Sequence, residues 1–299
     1  MRSLKAYFVL VVLGSLCIPH AFAQGRLGAQ GAEAGPHRMQ QWLVPTPAME
    51  VVARARLYRP VGDGPFRLAV IAHASTQNAL RRAQMPQPEY RALAGWLVAR
   101  GFAVLVPERP GHGRSGGGYL EDQGGCDEAD YARSGRATAD AIAAAAGFVR
   151  KQPFIAPDGM VIVGHSAGAW GALALAGESP KDISAIIAFA PGRGGHADDQ
   201  PNQVCAPHRL MAAAAEFGRA ARVPVTWLVA ANDSYFPPEL SRRMADAFRG
   251  GGGKAGFHVL AASGSEGHWL AETEAGIEIA APELDRALKT LAAATVKKR

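Results

Sequence analysis

Six short apolar runs, at 68–72, 103–107, 160–163, 183–189, 223–230 and 257–260, recur along the chain without the polar alternation of a half-exposed strand. Runs of this length, rich in Val and Ile, predict strands buried on both faces of a parallel sheet. A further segment at 49–59, MEVVARARLYR, does alternate and predicts an outer strand. Stretches suited to helix separate the runs, at 88–100, 134–151, 166–176, 238–248 and 281–293. Strand and helix in alternation predict a mostly parallel, doubly wound α/β sheet with helices on both faces, formed by one domain over 49–299.

Two segments stand outside the alternation: the Gly-rich 111–133, and 192–222 with Pro207 and an Ala-rich helix. Both follow strand ends, where sheets of this kind carry their ligands, so both are expected to cover a pocket. Residues 24–48, rich in Gly, Ala and Gln with Pro36, Pro45 and Pro47, read as an extended lead-in that offers no core position.

The first 23 residues carry an address. Arg2 and Lys5 precede an apolar run over 6–18, and Ala21-Phe22-Ala23 forms a small-x-small site, which predicts a signal peptide cleaved after Ala23 and export to the periplasm or beyond. The run falls short of the roughly 20 apolar residues of a spanning helix, so no stable membrane anchor is expected after cleavage. Composition narrows the class further. With 48% hydrophobic and 19% charged residues the chain is neither disordered nor collagen-like. Its net charge of +6 is scattered along the chain, which argues against a nucleic-acid binder. Of three cysteines, Cys17 falls in the address segment; Cys126 and Cys205 remain for an oxidising compartment, either as a disulfide or as two separate buried thiols.

The pattern G-x-S-x-G occurs twice, at Gly113-Arg114-Ser115-Gly116-Gly117 and Gly164-His165-Ser166-Ala167-Gly168. Context separates them. A buried run, Met160 through Val163, leads into Gly164, and a small-residue helix follows Ser166, so Ser166 sits on a strand-to-helix elbow that exposes a nucleophilic hydroxyl. Ser115 lies among glycines with no strand ending at it and reads as part of a turn.

A serine hydroxyl needs a base in reach and a carboxylate that fixes the base's tautomer. Asp233 stands just past the end of the 223–230 run, and His268 lies in a Gly-flanked loop after the last run; these are the expected acid and base. His258, inside a strand run, and the pair Asp198 and Asp199, after the 183–189 run, are the competing base and acids. The oxyanion requires two backbone N–H donors, expected from Ala167 and from the loop His73-Ala74-Ser75, with Ser75 ahead of Ala74.

With these positions in place the chain resembles the α/β-hydrolases over roughly 49–293, and its layout is similar to the dienelactone hydrolase and serine-esterase branches. The segment Val104-Leu105-Val106-Pro107-Glu108-Arg109-Pro110-Gly111-His112-Gly113-Arg114-Ser115 resembles the family's strand-then-turn stretch, which implies a structural Ser115. The resemblance implies Ser166 as nucleophile, Asp233 as acid and His268 as general base, without a cofactor. Ala74 replaces the Gly that many relatives carry after the His, the nucleophile is Ser instead of the Cys of dienelactone hydrolases, and 192–222 has no general counterpart.

Other residues have ordinary readings. His165 beside the nucleophile need not touch substrate. Trp170, Trp227 and Trp269 fit either an acyl pocket or the core. Arg109 and Arg114 fit either a substrate carboxylate or a turn. No H-e-x-x-H or paired-cysteine pattern calls for a metal. The expected activity is hydrolysis of a small-molecule carboxylic ester. The alternatives are a thioesterase, amidase or peptidase with the same residues, and a non-catalytic binding protein on the same scaffold.

Overall fold

The computed structural model describes residues 26–48 and 50–296, with side chains to 289. The predicted signal peptide and its cleavage site at Ala23 lie outside the described residues. Nine strands form one sheet: β1 (Gly28–Ala34), β2 (Met39–Pro45), β3 (Val52–Tyr58), β4 (Arg67–Ala72), β5 (Phe102–Pro107), β6 (Met160–His165), β7 (Ile183–Phe189), β8 (Val225–Ala230) and β9 (Ala255–Leu260). Their order is β1-β2-β3-β5-β4-β6-β7-β8-β9, antiparallel from β1 through the β3–β5 pair and parallel thereafter. The order reverses at β4, which runs out to β5 before the chain returns to β6. A crevice therefore opens beyond the carboxyl ends of β4 and β6.

Seven α-helices accompany the sheet among the described residues: α1 (Ala79–Ala83), α2 (Arg91–Val98), α3 (Tyr131–Val149), α4 (Ala167–Gly177), α5 (Pro207–Gly218), α6 (Pro238–Gly250) and α7 (Glu274–Val296). Burial of alternate side chains to opposite faces explains the uninterrupted apolar runs. Val70 and Ile162 join one core with Leu173, Phe217 and Phe248, while Ile71 and Val163 join the other with Leu93, Leu97 and Leu284. α4 is buried on every side, and two glycines permit its approach. A Cβ on Gly168 would stand 2.1 Å from the Ala72 carbonyl oxygen, and one on Gly164 would meet Ala169 Cα at 2.3 Å. Both are well inside van der Waals contact, so this strand-turn-helix closes only with hydrogen at those positions.

Two expectations change. The 24–48 lead-in contributes β1 and β2, and Trp42 and Val44 are buried in the core; its Gly- and Gln-rich sequence hides an alternation that only the pairing with β3 reveals. The 192–222 segment divides. Its first part lines the pocket, but α5 buries Leu210, Ala214 and Phe217 between α4 and α6 and belongs to the helical layer. The cysteines do meet: a disulfide joins Cys126 to Cys205 across 79 residues, with Cα atoms 5.0 Å apart.

The two covers also share a buried ion cluster. Glu121 accepts from both Arg109 and Arg193, and Arg193 also donates to Thr138 Oγ1 at 2.7 Å and to the Tyr119 hydroxyl at 3.1 Å. The two guanidinium groups hold the Glu121 carboxyl well below the usual carboxylate range, against a burial effect that would raise it. Arg109 is thus a structural residue, while Arg114 points to solvent. Ser115 is structural too, for its hydroxyl donates to Glu108 Oε2 at 2.8 Å and accepts from the Arg54 amide at 3.0 Å.

Candidate active site

A cavity of about 1020 Å3 lies over the carboxyl ends of β4 and β6, and Ser75, Ser166, Ala167 and His268 all face it. Ser166 has φ 55° and ψ −118°, a region that disfavours any side chain, and the elbow holds it there. The Ser166 amide donates to the Phe189 carbonyl at 2.9 Å, and its own carbonyl accepts from Trp170 at 2.9 Å to start α4. The turn is thereby pinned on both sides. Among the described residues the Ser166 hydroxyl has no hydrogen-bond partner, and such contacts commonly tighten only once substrate is bound.

Asp233 and His268 come together from segments 35 residues apart, with Nδ1 of the imidazole 3.1 Å from Asp233 Oδ2. Both are buried. The other carboxylate oxygen, Oδ1, accepts from the amides of Tyr235 at 2.9 Å and Phe236 at 2.8 Å, so the acid cannot rotate away. Placing the proton on Nδ1 leaves Nε2 of His268 with a lone pair. Burial lowers the His268 pKa; the hydrogen bond and charge of Asp233 oppose that shift, while nearby His165 adds to it. The imidazole is therefore neutral near pH 7 and able to accept a proton.

The loop after β4 is held almost completely. The Ala74 amide donates to the Tyr90 hydroxyl at 3.2 Å, and the Ala74 carbonyl receives His73 Nδ1 at 2.6 Å. His73 Nε2 accepts from the Arg109 amide at 3.1 Å, which fixes that tautomer. The Ser75 hydroxyl sits 2.7 Å from Nε2 of His112, whose Nδ1 faces the Pro110 carbonyl at 3.1 Å. Because Nδ1 must donate there, the serine hydroxyl is the donor to Nε2. Burial pushes His112 down to about 4, so it stays neutral. Among the described residues the amides of Ser75 and Ala167 have no backbone acceptor, whereas that of Ala74 is taken.

The remaining candidates part company. His258 sits on β9 beside Glu283 at 3.2 Å, away from the cavity. Asp198 and Asp199 are exposed on the rim, where Asp199 pairs with Arg81 at 3.2 Å. Trp170 and Trp227 are core residues, while Trp269 is 40% exposed at the cavity.

Sequence reasoning missed the contacts of His165 and passed over Tyr90, Glu266 and Glu272. His165 Nε2 donates to the His268 carbonyl at 2.8 Å, and its Nδ1 faces both the Tyr90 hydroxyl at 2.9 Å and Glu272 Oε1 at 3.2 Å. Glu266 Oε1 accepts the His268 amide at 2.9 Å and the Ser234 amide at 3.1 Å. Burial would raise the Glu266 pKa, yet these bonds and the Ser234 hydroxyl hold it below the ordinary value. Only the position of Glu266, two residues before His268, gave any signal in the sequence. Among the described residues no cluster of His, Cys, Asp and Glu is arranged to hold a metal ion, and no helix is long and apolar enough to cross a membrane.

Comparison with known proteins agrees with this architecture. Residues 87–217, which include Ser166, match the Hydrolase_4 family, described as serine aminopeptidase, S33. The chain has no match among curated proteins. Among solved structures, an esterase of Pyrococcus furiosus superposes with a TM-score of 0.57 at 14% identity, over 89% of this chain and 98% of that one. Est1E from Butyrivibrio proteoclasticus, solved with ferulic acid bound, gives 0.57 at 15% identity over 84% of this chain and 99% of its own. A puromycin-hydrolyzing peptidase of Mycobacterium tuberculosis gives 0.56 at 16% identity, over 82% of this chain and 38% of the peptidase. The sheet order, the elbow and these likenesses together give the chain the α/β-hydrolase fold.

Proposed function

We propose that the protein is an exported serine hydrolase that cleaves carboxylic esters of small molecules through a covalent acyl-enzyme. The observation that carries this reading is the buried Asp233–His268 pair facing the same cavity as the elbow serine. In the first half-reaction the Ser166 hydroxyl oxygen attacks the ester carbonyl and its proton passes to Nε2 of His268. The amides of Ala167 and Ser75 receive the developing oxyanion. Collapse of the tetrahedral species expels the alkoxide, which takes the proton from His268 and leaves as the alcohol. Water then attacks the acyl-enzyme and gives its proton to His268, and Ser166 departs with that proton as the acid is released.

Export accords with the predicted signal peptide and with the disulfide, a bond that persists in oxidising compartments. The esterase relatives and the bound ferulic acid of one neighbour favour an ester over other acyl groups. A peptidase reading has its own support in the family description and in the peptidase neighbour. It uses the same residues, with an amine as leaving group. Labelling with a fluorophosphonate, wild type beside Ser166→Ala, tests the shared chemistry. An adduct on Ser166 that vanishes in the variant is the expected result. A folded protein that takes no label would favour a non-catalytic binding protein. Turnover of p-nitrophenyl esters against aminoacyl p-nitroanilides then separates esterase from peptidase.

A further inference from the structure

Three rings from three segments, the candidate base among them, lie in one stack. Tyr235, two residues past the acid, has its ring centroid 4.3 Å from that of His268 at an interplanar angle of 22°. Its opposite face carries His196, at 3.5 Å and 10°. The phenol is therefore sandwiched between the candidate catalytic imidazole and an imidazole from the 192–206 cover.

Each ring is fixed independently of the stack. The Tyr235 amide donates to Asp233 Oδ1 at 2.9 Å, so the acid that orients His268 also sets the start of the tyrosine side chain. His196 Nε2 is 2.8 Å from the Ser234 hydroxyl, which donates its own proton to Glu266. His196 is accordingly the donor in that contact. The Glu266 carboxylate in turn holds the His268 amide, and the circuit from cover to base closes through Ser234 and Glu266.

An aromatic face is electron-rich and attracts a cation placed over it. In the proposed reaction His268 becomes an imidazolium each time it takes a proton from Ser166 or from water, and it does so while buried. We propose that Tyr235 is a positioning residue for the general base, its ring face holding the His268 imidazole in the plane that serves Ser166 and favouring the imidazolium formed during proton transfer. This rests on the serine-hydrolase reading of the same site. The cover is then part of the catalytic apparatus, since His196 keeps Tyr235 from swinging off the base.

Other charged groups bear on His268: Asp233 on Nδ1, Glu266 at the backbone amide, His165 with its ring centroid 5.0 Å away, and Glu272 four residues on. None is altered by a change at Tyr235. The stack's own effect is thus measurable by substitution.

The test is an NMR titration of the His268 imidazole in the Ser166→Ala protein, with and without Tyr235→Leu, which reads the base directly and needs no turnover. Loss of the face is expected to lower the His268 pKa by about half a unit to one unit, because the charged form loses its partner. In the protein with Ser166 intact, Tyr235→Leu should move the acid limb of kcat/KM to lower pH and reduce kcat about tenfold. Tyr235→Phe keeps the face and should restore both. An unmoved titration, or a Phe variant as impaired as the Leu variant, overturns the proposal. His196→Ala supplies the check if Tyr235→Leu does not fold: it leaves the bond of the Tyr235 amide to Asp233 intact and should shift the titration in the same direction by less, and no shift would count against the stack. Absence of hydrolysis or fluorophosphonate labelling in wild type would instead remove the serine-hydrolase reading, which the titration does not assume.

Discussion

The Tyr90 hydroxyl stands 2.9 Å from Nδ1 of His165, and through it the loop after β4 is joined to the elbow. The same oxygen accepts the Ala74 amide, and the far nitrogen of His165 donates to the His268 carbonyl. A single side chain, on a residue with the left-handed φ of 47°, thus connects the segments proposed to supply the oxyanion donor, the nucleophile and the base.

Tyr90→Phe should therefore lower kcat more than it raises KM, by about tenfold, because it loosens groups that matter most when charge develops. It should also cost about 1–3 kcal/mol of stability, since the Ala74 amide loses its buried acceptor. Steady-state kinetics on a p-nitrophenyl ester and urea unfolding check the two effects separately. A change in KM alone would show that Tyr90 shapes only the pocket.

Asp233→Asn tests the acid. The substituted amide keeps the size and the bonds from Tyr235 and Phe236 through its oxygen, but its NH2 faces Nδ1 and favours the wrong tautomer of His268. A fall in kcat of about 10⁴-fold with little change in thermal unfolding is expected. The same substitution at Asp199, which lies on the rim and pairs with Arg81, should leave kcat within about twofold. A large loss at Asp199 would revive the competing acid.

The sequence discloses the proposed reacting residues because each stands beyond the end of a strand: Ser166 after β6, Asp233 after β8, His268 after β9. Apolar runs locate the strands, and strand ends locate the chemistry. Tyr90, His165 and Tyr235 are different. Their roles depend on neighbours from distant segments, 103 residues apart for His165 and the His268 carbonyl, and no local pattern marks a side chain for such a contact. β1 and β2 escaped notice for a related reason: their few apolar positions read as strand only once β2 pairs with β3 and β1 with β2. The second G-x-S-x-G shows the converse, a motif whose serine is spent on Glu108 and Arg54.

Breaking the buried cluster should be costly. Glu121→Gln removes the one carboxylate between Arg109 and Arg193, and two buried guanidinium groups then face each other without compensation. The expected loss is about 3–5 kcal/mol in denaturant unfolding at neutral pH. A loss below about 1 kcal/mol would mean that water reaches the cluster.

Acid should destabilise the protein well before its exposed carboxylates titrate. Burial lowers the pKa values of His73, His112 and His268, that of His112 to about 4. The unfolded chain takes up protons on these rings as pH falls through about 6.5, while the folded protein does not. Unfolding is thereby favoured progressively between pH 6.5 and about 4, and below that the His112 contribution is fully lost. For His112 alone the effect is of order 3 kcal/mol. Glu121 adds to the same trend at lower pH, because its carboxyl is held below the usual range and stabilises the fold only while ionised. Urea midpoints at about pH 7.5, 6 and 5 should fall in that order, the first above the histidine window and the other two within it, and His112→Asn should flatten the dependence. The acid limb of kcat/KM should likewise lie below pH 6.5, since the proposed base is neutral His268 with a lowered pKa. A limb above 6.5 would mean that the Asp233 charge outweighs burial at the base.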